Sequence, residues 1–474
     1  MLVDGHARVA CVTPARRVAG REITTLDGLP AEVSDRWAAA FCDAGASQCG
    51  FCTPGIIVRL AALAERTGPL GVEDVEQALL AHLCRCTGWR TIVEAAIAAS
   101  TSKPAHPTSP RDLEVAARRA SIEGHVPQRS GPSVALGRAG FADDFSPGDA
   151  LVAVPDGAGG WIVGGTLASA RAAAGKVQGR RSPLRPGHPL ALPDGDWALT
   201  LRTTWVEPAY LELDASWCLP GGEPASPLAN GGAFGAKQPS VAPEVARTLA
   251  AQHGRPVRVV VSREDAVRLG AKRPPIAAGL RPDGTGVLRV VRTPGVADAV
   301  RLLAPGLVVE EVDVPGPPTS AALRGAGWVE AAVLMAGLGW QQRGEGVRVR
   351  SPWGAWARAE VGSDGVLAVE VACGPVLDEV VLRSYCIGAA HQALSWVTSE
   401  AIAVDETGAV HDLTVRSFGI LRARDTPRID VTLAEGGPDQ PVNGSDAVFA
   451  AVAAAVWVER GLAPAWPTDR GRSR

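Results

Sequence analysis

The sequence predicts an α+β multidomain protein made of three parts, and three observations support this prediction. Residues 1–30 alternate apolar and polar side chains between turn residues, which favours a hairpin and a further strand. Residues 31–99 change to helical spacing, in four short amphipathic segments separated by glycines, and so predict a compact helical bundle. Beyond residue 112, short strand patterns alternate with helices in a Gly- and Pro-rich background, which indicates a mixed α+β region.

Changes in composition divide the chain at consistent places. The predicted units are 1–30, 31–99, 100–112 and 113–474. The third unit is a linker, because STSKPAHPTSPRD is rich in Pro, Ser and Thr. Within the last unit, strands are expected at 256–261 and 365–372, with a helix at 241–254. The longest apolar run, AVFAAVAAAVWV (447–458), predicts a buried helix, because twelve residues are too few to span a bilayer.

Composition excludes several functional classes. With 46% hydrophobic and 20% charged residues, the 474-residue chain is typical of globular proteins rather than disordered ones. A net charge of −3 and the lack of a basic run exclude a nucleic-acid-binding protein. The N-terminus lacks the apolar core of a secretion signal, and the cysteines are too sparse for a secreted disulfide framework. We therefore expect a cytoplasmic protein without a membrane span.

Four cysteines predict a metal site at the ends of the bundle helices. They are Cys49, Cys52, Cys84 and Cys86, a C-x2-C followed by a C-x-C. Zinc prefers chelating pairs with two to four intervening residues, so the second pair suits zinc poorly. Iron–sulfur clusters accept varied spacings, and small neighbours such as Gly50, Gly55 and Gly88 let backbone N–H groups approach sulfur. A zinc-binding interaction module remains the alternative, which the colour of the protein would distinguish.

Two stretches around these cysteines resemble a known family. GASQCGFCTPG (45–55) and CRCTGWR (84–90) are similar to the helical 2Fe–2S domain of the molybdenum hydroxylases. This family includes xanthine dehydrogenase, aldehyde oxidase and aerobic carbon monoxide dehydrogenase. The resemblance implies that the four cysteines ligate one 2Fe–2S cluster. It also implies that Gln48 contacts the pterin of a molybdenum cofactor.

The first 30 residues resemble the end of the plant-type 2Fe–2S ferredoxin domain that precedes this bundle in the family. Cys11 matches the fourth ligand of that domain's cluster, but one thiolate cannot hold a cluster. We therefore expect Cys11 to be a free buried thiol. The resemblance also implies that the natural chain begins about 40–50 residues earlier and carries a C-x4-C-x2-C segment there.

A Gly-rich loop in the mixed region is a candidate cofactor contact. GGAFGAK (231–237) precedes a helix, where backbone N–H groups can bind an anion or an oxo ligand, although a structural turn has the same pattern. The loop resembles a segment of the molybdopterin-binding subunit of the family. The resemblance implies that Gly232, Phe234 and Gly235 lie close to the molybdenum. AALRGAGWVEAAV (321–333) is similar to a further segment, with Arg324 as the candidate contact.

The sequence departs from the family at the catalytic base. The family carries a Gly-x-Gly-Glu loop, whose Glu deprotonates the molybdenum-bound hydroxyl during hydroxylation. In this chain QPVNGSDAVFAAV (440–452) contains no Glu, and Asp446 is the nearest carboxylate. Asp446 is therefore the candidate catalytic residue. The alternative is that Asp446 caps the following helix, a role for which Ser445 competes.

The resemblance implies an oxidoreductase of the molybdenum hydroxylase type. Electrons would pass through one 2Fe–2S cluster during oxidation of an aldehyde, a purine or an N-heterocycle at a molybdenum–molybdopterin cofactor. The expected partner is an electron-acceptor protein or a flavin subunit. The alternative is an electron-transfer and scaffold subunit with a non-catalytic molybdopterin-like region. The missing Glu and the short mixed region favour this alternative, whereas the GGAFGAK loop favours a fused hydroxylase.

Overall fold

A small antiparallel sheet begins the chain. The computed structural model of the protein describes residues 1–101, 111–175, 182–343 and 347–469. The sheet has the order β2-β1-β3 and consists of β1 (Leu2–Val3), β2 (His6–Ala7) and β3 (Ile23–Thr24). Asp4 and Gly5 form the turn between the first two strands at positive φ, as a two-residue hairpin requires. The predicted hairpin and further strand are confirmed.

Cys11 is placed differently from the expectation. It lies in a short 3₁₀ turn, Ala10–Val12, and it is exposed. The expectation of a buried thiol was wrong, because none of the three residues in this turn packs into the core.

Four helices form the predicted bundle. They are α1 (Ala31–Asp43), α2 (Thr53–Thr67), α3 (Val72–Ala78) and α4 (Arg90–Thr101). Their apolar faces meet in one core that includes Trp37, Phe41, Ile56 and Ile92, all fully buried. Gly68 ends α2 at a φ of 83°, which residues with a side chain adopt at a cost. Residues 102–110 of the predicted linker lie outside the described residues, and the domain boundaries stay a prediction.

The mixed region contains strands and helices throughout. The strands are β4 (Leu151–Pro155), β5 (Trp161–Gly164), β6 (Leu199–Arg202), β7 (Asp214–Cys218), β8 (Val257–Val261), β9 (Ile276–Leu280), β10 (Gly286–Val291), β11 (Leu307–Val312), β12 (Val347–Arg350), β13 (Trp356–Val361), β14 (Leu367–Ala372), β15 (Ala403–Val404), β16 (Val410–His411) and β17 (Ile429–Leu433). The helices are α5 (Leu113–Gly124), α6 (Pro132–Ala135), α7 (Leu167–Ala174), α8 (Ala242–His253), α9 (Arg263–Leu269), α10 (Val296–Arg301), α11 (Trp328–Arg343), α12 (Glu379–Thr398) and α13 (Ser445–Glu459). The strands expected at 256–261 and 365–372 and the helix expected at 241–254 correspond to β8, β14 and α8.

Twelve of these strands form three four-stranded sheets of mixed direction, in the orders β5-β4-β8-β7, β11-β10-β9-β6 and β12-β13-β14-β17, and β15 pairs with β16 in a two-stranded sheet. Helix α13 packs against α11, α12 and the third sheet, and its residues from Ser445 to Trp457 are buried. Its Ala-rich sequence lets these neighbours approach closely, so the predicted buried helix is confirmed. Within the described ranges, no helix combines the length and apolarity that a membrane crossing needs.

Candidate redox site

The structure brings the four predicted cluster cysteines together at the ends of two helices. Cys49 and Cys52 lie immediately before α2, and Cys84 and Cys86 lie in the loop before α4. The sulfurs of Cys49 and Cys86 are 3.7 Å apart. Cys52 and Cys84 form a second pair through a hydrogen bond between their side chains. Each pair therefore takes one cysteine from each motif, which the spacing alone did not determine.

The surroundings of Cys84 favour its thiolate form. A hydrogen bond from Cys52 lowers the pKa of Cys84 to about 6, although burial acts in the opposite direction. The hydroxyl of Thr87, 3.1 Å from the sulfur, and the backbone of Cys86 and Thr87 also lower this pKa. The same thiol hydrogen bond, together with burial, raises the pKa of Cys52. Thiolate is the form that binds metal, and donors directed at sulfur stabilise iron–sulfur clusters. This donor set fits such a cluster.

Two of the three glycines that sequence analysis singled out are required by the packing of these loops. Gly50 has a φ of 84°, and a Cβ there would lie 2.6 Å from a methyl of Val134. Gly88 has a φ of 60°, and a Cβ there would lie 2.8 Å from the carbonyl oxygen of Ile387. Gly55 lies inside α2 and faces open space. The first two glycines therefore let the cysteine loops approach the mixed region closely.

The cysteine pairs suit a binuclear cluster better than a single ion. Among the described residues, no three His, Cys, Asp or Glu side chains form a group that could hold a metal ion. A single zinc ion requires such convergence, with ligands about 2.0–2.3 Å from the metal. A 2Fe–2S cluster instead takes two protein ligands on each of its two irons. Two separate cysteine pairs match that requirement.

Buried polar contacts hold the cysteine loops against the mixed region. Arg85, between the cysteines of the second motif, forms a bidentate ion pair with Glu400 at 2.6 and 2.7 Å. Both side chains are buried, at 6% and 2% exposure. Arg85 also donates from Nε to the carbonyl oxygen of Pro208. Gln48, whose predicted contact with a pterin stays a prediction, donates to the hydroxyl of Ser384 in α12, at 2.9 Å. The bundle is thus fixed on α12 next to its cysteines.

A small cavity separates the cysteine loops from the Gly-rich loop. Gln48, Cys86, Gly231, Phe234 and Tyr385 are among the residues that line it. Its volume is about 30 Å³. A water molecule needs roughly 10–15 Å³ of such volume, whereas cofactor sites are clefts of about 300–1,000 Å³. This cavity holds water-sized groups.

The glycines of the Gly-rich loop face protein atoms. A Cβ on Gly232, which has a φ of 83°, would lie 2.8 Å from Val126. A Cβ on Gly235 would lie 2.0 Å from the carbonyl oxygen of Ala322. Phe234 itself has a φ of 56°. Packing against Val126 and Ala322 therefore leaves no room for a side chain at positions 232 and 235. The predicted contact of this loop with a cofactor stays a prediction.

Arg324 and Asp446 are joined to each other. Nη1 of Arg324 donates to Oδ1 of Asp446 at 3.2 Å, and both side chains are 4% exposed. The second oxygen of Asp446 pairs with Nε2 of His125 at 2.8 Å. The guanidinium of Arg324 also lies over the ring of Phe234, 4.6 Å from its centroid. The structure therefore links three predicted site residues, Phe234, Arg324 and Asp446, through one buried arginine.

Asp446 is not the cap of α13. The residue before the helix is Gly444, so both Ser445 and Asp446 lie in the first turn. Glu123, from the end of α5, accepts hydrogen bonds from the backbone N–H groups of Gly444 and Ser445 at 3.1 and 2.8 Å. The capping alternative was wrong, because the capping carboxylate comes from a distant helix.

Sequence analysis missed His125 and Glu123. Both lie at the end of α5, more than 300 positions from Asp446. A lone histidine and a lone glutamate in a helical segment carry no spacing signal. Only the packing of α5 against the start of α13 brings them to this site.

Comparisons with known proteins agree with the placement of the cysteines. Residues 25–97 match the family model described as the 2Fe-2S binding domain. The chain is 43% identical over 96 residues to a probable subunit of xanthine dehydrogenase from Bacillus subtilis. The aligned segment makes up 20% of this chain and 56% of that protein. It is 37% identical over 106 residues to the xanthine dehydrogenase iron-sulfur-binding subunit of Escherichia coli O157:H7. That alignment spans 22% of this chain and 67% of the subunit. The chain thus spans about half of the Bacillus subtilis relative.

Solved structures extend the likeness to the mixed region. The aldehyde oxidoreductase from Desulfovibrio gigas gives a TM-score of 0.66 at 13% identity, in an alignment that spans 96% of this chain and 91% of that one. The aldehyde oxidoreductase from Desulfovibrio desulfuricans gives 0.64 at 14% identity, with the same spans. At this identity the likeness shows the fold alone. It confirms the predicted α+β multidomain class.

Proposed function

Because the chain belongs to the xanthine dehydrogenase family of molybdenum hydroxylases, we propose that it is an electron-transfer oxidoreductase of this type. The proposed ligands of its 2Fe–2S cluster are Cys49, Cys52, Cys84 and Cys86. The observation that carries the proposal is the arrangement of these residues in two pairs, each drawn from both motifs. When bound, such a cluster supplies a one-electron relay.

The residues around the cysteines have distinct roles in this proposal. Thr87 and the backbone at positions 86 and 87 donate hydrogen bonds to the sulfur of Cys84, and so stabilise its negative charge. The buried Arg85–Glu400 ion pair holds the loop on the mixed region and excludes water from that side. Phe51, between the cysteines of the first motif, is 46% exposed. The loop therefore reaches the surface, where a redox partner can approach.

The partner in this proposal is an electron-acceptor protein or a flavin subunit of the same complex. The Escherichia coli relative is named as a subunit, which supports an assembly of this kind. We place the protein in the cytoplasm, consistent with its sparse cysteines. Surface plasmon resonance against the electron-acceptor protein or flavin subunit that copurifies with the chain, with Phe51→Ser as the comparison, tests whether the exposed loop is the contact.

Elemental and spectroscopic analysis of the purified chain tests the proposed cluster. We expect two irons and two acid-labile sulfides per chain, visible absorbance, and a paramagnetic signal after reduction by dithionite. A colourless protein that contains zinc would overturn the proposal.

A second candidate function is a fused hydroxylase that itself oxidises an aldehyde, a purine or an N-heterocycle. The supporting observation is that Phe234 lines the same cavity as Gln48 and Cys86. In that case a molybdenum–molybdopterin cofactor would lie near Gln48, Gly232, Phe234, Gly235 and Arg324. Asp446 would then take the role of the base. Stoichiometric molybdenum and pterin in the purified chain would support this candidate.

A further inference from the structure

Three features of the structure bear on whether the mixed region can accept a pterin cofactor. Such a site needs a cleft of the right size, polar groups free to bind the ligand, and a base whose carboxylate faces the substrate.

The cleft is too small. Between the cysteine loops and the Gly-rich loop, the cavity of about 30 Å³ is roughly a tenth of the smallest usual cofactor site. The loop glycines do not enlarge it, because the atoms of Val126 and Ala322 occupy the space where side chains of residues 232 and 235 would extend. These glycines allow close packing within the protein and do not form a cradle for a ligand.

The polar groups are already used within the protein. We call His125, Arg324, Gln392, Ser445 and Asp446 the Asp446 network. Arg324 donates to Gln392, Ser445 and Asp446 at 3.1–3.2 Å. The amide of Gln392 donates in turn to the backbone oxygen of Arg85 at 2.9 Å. The network therefore connects the start of α13 to the cysteine loop through side chains alone.

The start of α13 is also closed to an anion. A helix N-terminus binds anions through backbone N–H groups that have no partner within the helix. Here the carboxylate of Glu123 accepts from the N–H groups of Gly444 and Ser445. Glu123 is itself paired with Arg119, and both are fully buried. The next N–H group, of Asp446, is bound by the side chain of Asn443 at 2.8 Å.

The carboxylate of Asp446 is unsuited to act as a base. Both oxygens are engaged, one by Arg324 and one by His125. Burial would raise the pKa of Asp446, but the charges and hydrogen bonds of these two partners outweigh burial and lower it. A general base works best with a pKa near the working pH, so this environment opposes the role.

We propose that the Asp446 network is a structural clamp that fills the place of the catalytic centre, and that the mixed region of this chain binds no molybdenum cofactor. The mixed region then positions the bundle, and the oxidation of substrate belongs to another subunit. The clamp joins the end of α5, the segment at 324, α12 and the start of α13. The inference concerns the mixed region alone and does not depend on the cluster ligands.

Metal and pterin analysis of the full-length chain tests this inference. The chain is produced in a host that makes the molybdenum cofactor, and an enzyme of known molybdenum content is purified from the same host as a positive control. We expect stoichiometric iron in the chain, with molybdenum and pterin at the level of an unrelated protein from the same host. Stoichiometric molybdenum would overturn the inference but leave the relay intact. Missing iron would overturn the relay but leave the inference intact.

Variants of the network separate a clamp from a cofactor site. Arg324→Ala and Asp446→Ala are expected to lower the melting temperature by several degrees while iron content and visible spectrum stay unchanged. Asp298→Ala, which removes an exposed carboxylate paired with Arg301, is the control and should leave the melting temperature unchanged. Should Arg324→Ala or Asp446→Ala leave the melting temperature unchanged, the clamp would be disproved. If a variant does not fold, the molybdenum analysis of the unaltered chain still decides the question.

Discussion

The cysteine site and the Asp446 network both make contacts with helix α12, but their sequence motifs differ in how well they predict function. The cysteine site contacts α12 through Ser384 and the network contacts it through Gln392. At the cysteine site, the motifs consist of the cysteines whose thiols are the proposed ligands, and these four thiols meet in two pairs. At the Asp446 network, the sequence signals are the neighbouring Gly-rich loop and Arg324. The role of these residues depends on which atoms pack against them. Opposite them are protein atoms and a buried aspartate.

This difference teaches which sequence motifs can be transferred. A thiol pair separated by one or two residues has few uses other than metal binding or redox chemistry, so its spacing is informative. A glycine indicates only that something approaches closely, and a ligand and a protein backbone satisfy that condition equally well.

The largest effect is expected from removing one cysteine of the second motif. Cys84→Ser should abolish most of the visible absorbance, because the cluster would lose one of its four proposed thiolate ligands. Cys218→Ser is the matched control, since Cys218 is also buried and its thiol donates to the backbone oxygens of Leu219 and Gly222, just after β7. Equal loss of absorbance in the two variants would show that the ligands are misassigned.

The second prediction concerns turnover by the isolated chain. Hydroxylation of aldehydes, purines and N-heterocycles should run far below the typical rate of about 10 per second. The reason is that the predicted loop has no Glu and that its nearest carboxylate, Asp446, is held between Arg324 and His125, since a positioned base contributes about a hundred- to ten-thousand-fold. Steady-state assays with an artificial electron acceptor measure this rate. Ordinary turnover that Asp446→Asn abolishes would instead establish Asp446 as a base.

The third prediction tests how the bundle is held. Glu400→Ala leaves Arg85 buried without its partner, so the free energy of unfolding should fall by about 3–5 kcal/mol. Urea unfolding followed by circular dichroism measures the change. Glu379→Ala, at the exposed first turn of the same α12, should cost less than about 1 kcal/mol. Similar costs for both substitutions would contradict the role given to the buried pair.

The sequence predicted the bundle well because its signals are local. Amphipathic spacing predicted the four helices, and two short cysteine motifs indicated which thiols would meet. The reason given for Gly50 and Gly88 was a backbone approach to sulfur, whereas in the structure these glycines make room for Val134 and Ile387. The pairing of the cysteines depended on how two loops meet, and spacing could not determine it. The Asp446 network could not be predicted from the sequence, for a different reason. It joins residues from α5, α12 and α13 with Arg324, and none of them has a partner nearby in the sequence.

The smallest expected effect is a pH dependence that His125 adds to stability. Burial would lower the pKa of His125, but its hydrogen bond to Asp446 and the nearby negative charges outweigh burial and raise it. A raised folded-state pKa gives stability that is fully present below about 6.5, the usual value, and is lost as pH rises through the folded value. The lowered pKa of Asp446 acts in the opposite direction, so its contribution is lost only as the solution becomes strongly acidic.

His125→Asn isolates this contribution. Asparagine tolerates the left-handed backbone of position 125, where φ is 56°, and so limits any strain. The variant should be less stable than the unaltered chain at pH 5.5, and the difference should shrink by pH 8. Because the His125 side chain is 35% exposed, solvent screening limits the change to less than about 1 kcal/mol. Urea unfolding of both proteins at the two pH values gives the difference in their free energies of unfolding. Contributions of the titrating groups that the two proteins share cancel in this difference. A difference that stays constant between pH 5.5 and 8 would mean that His125 packs against Asp446 but that its protonation does not contribute to stability.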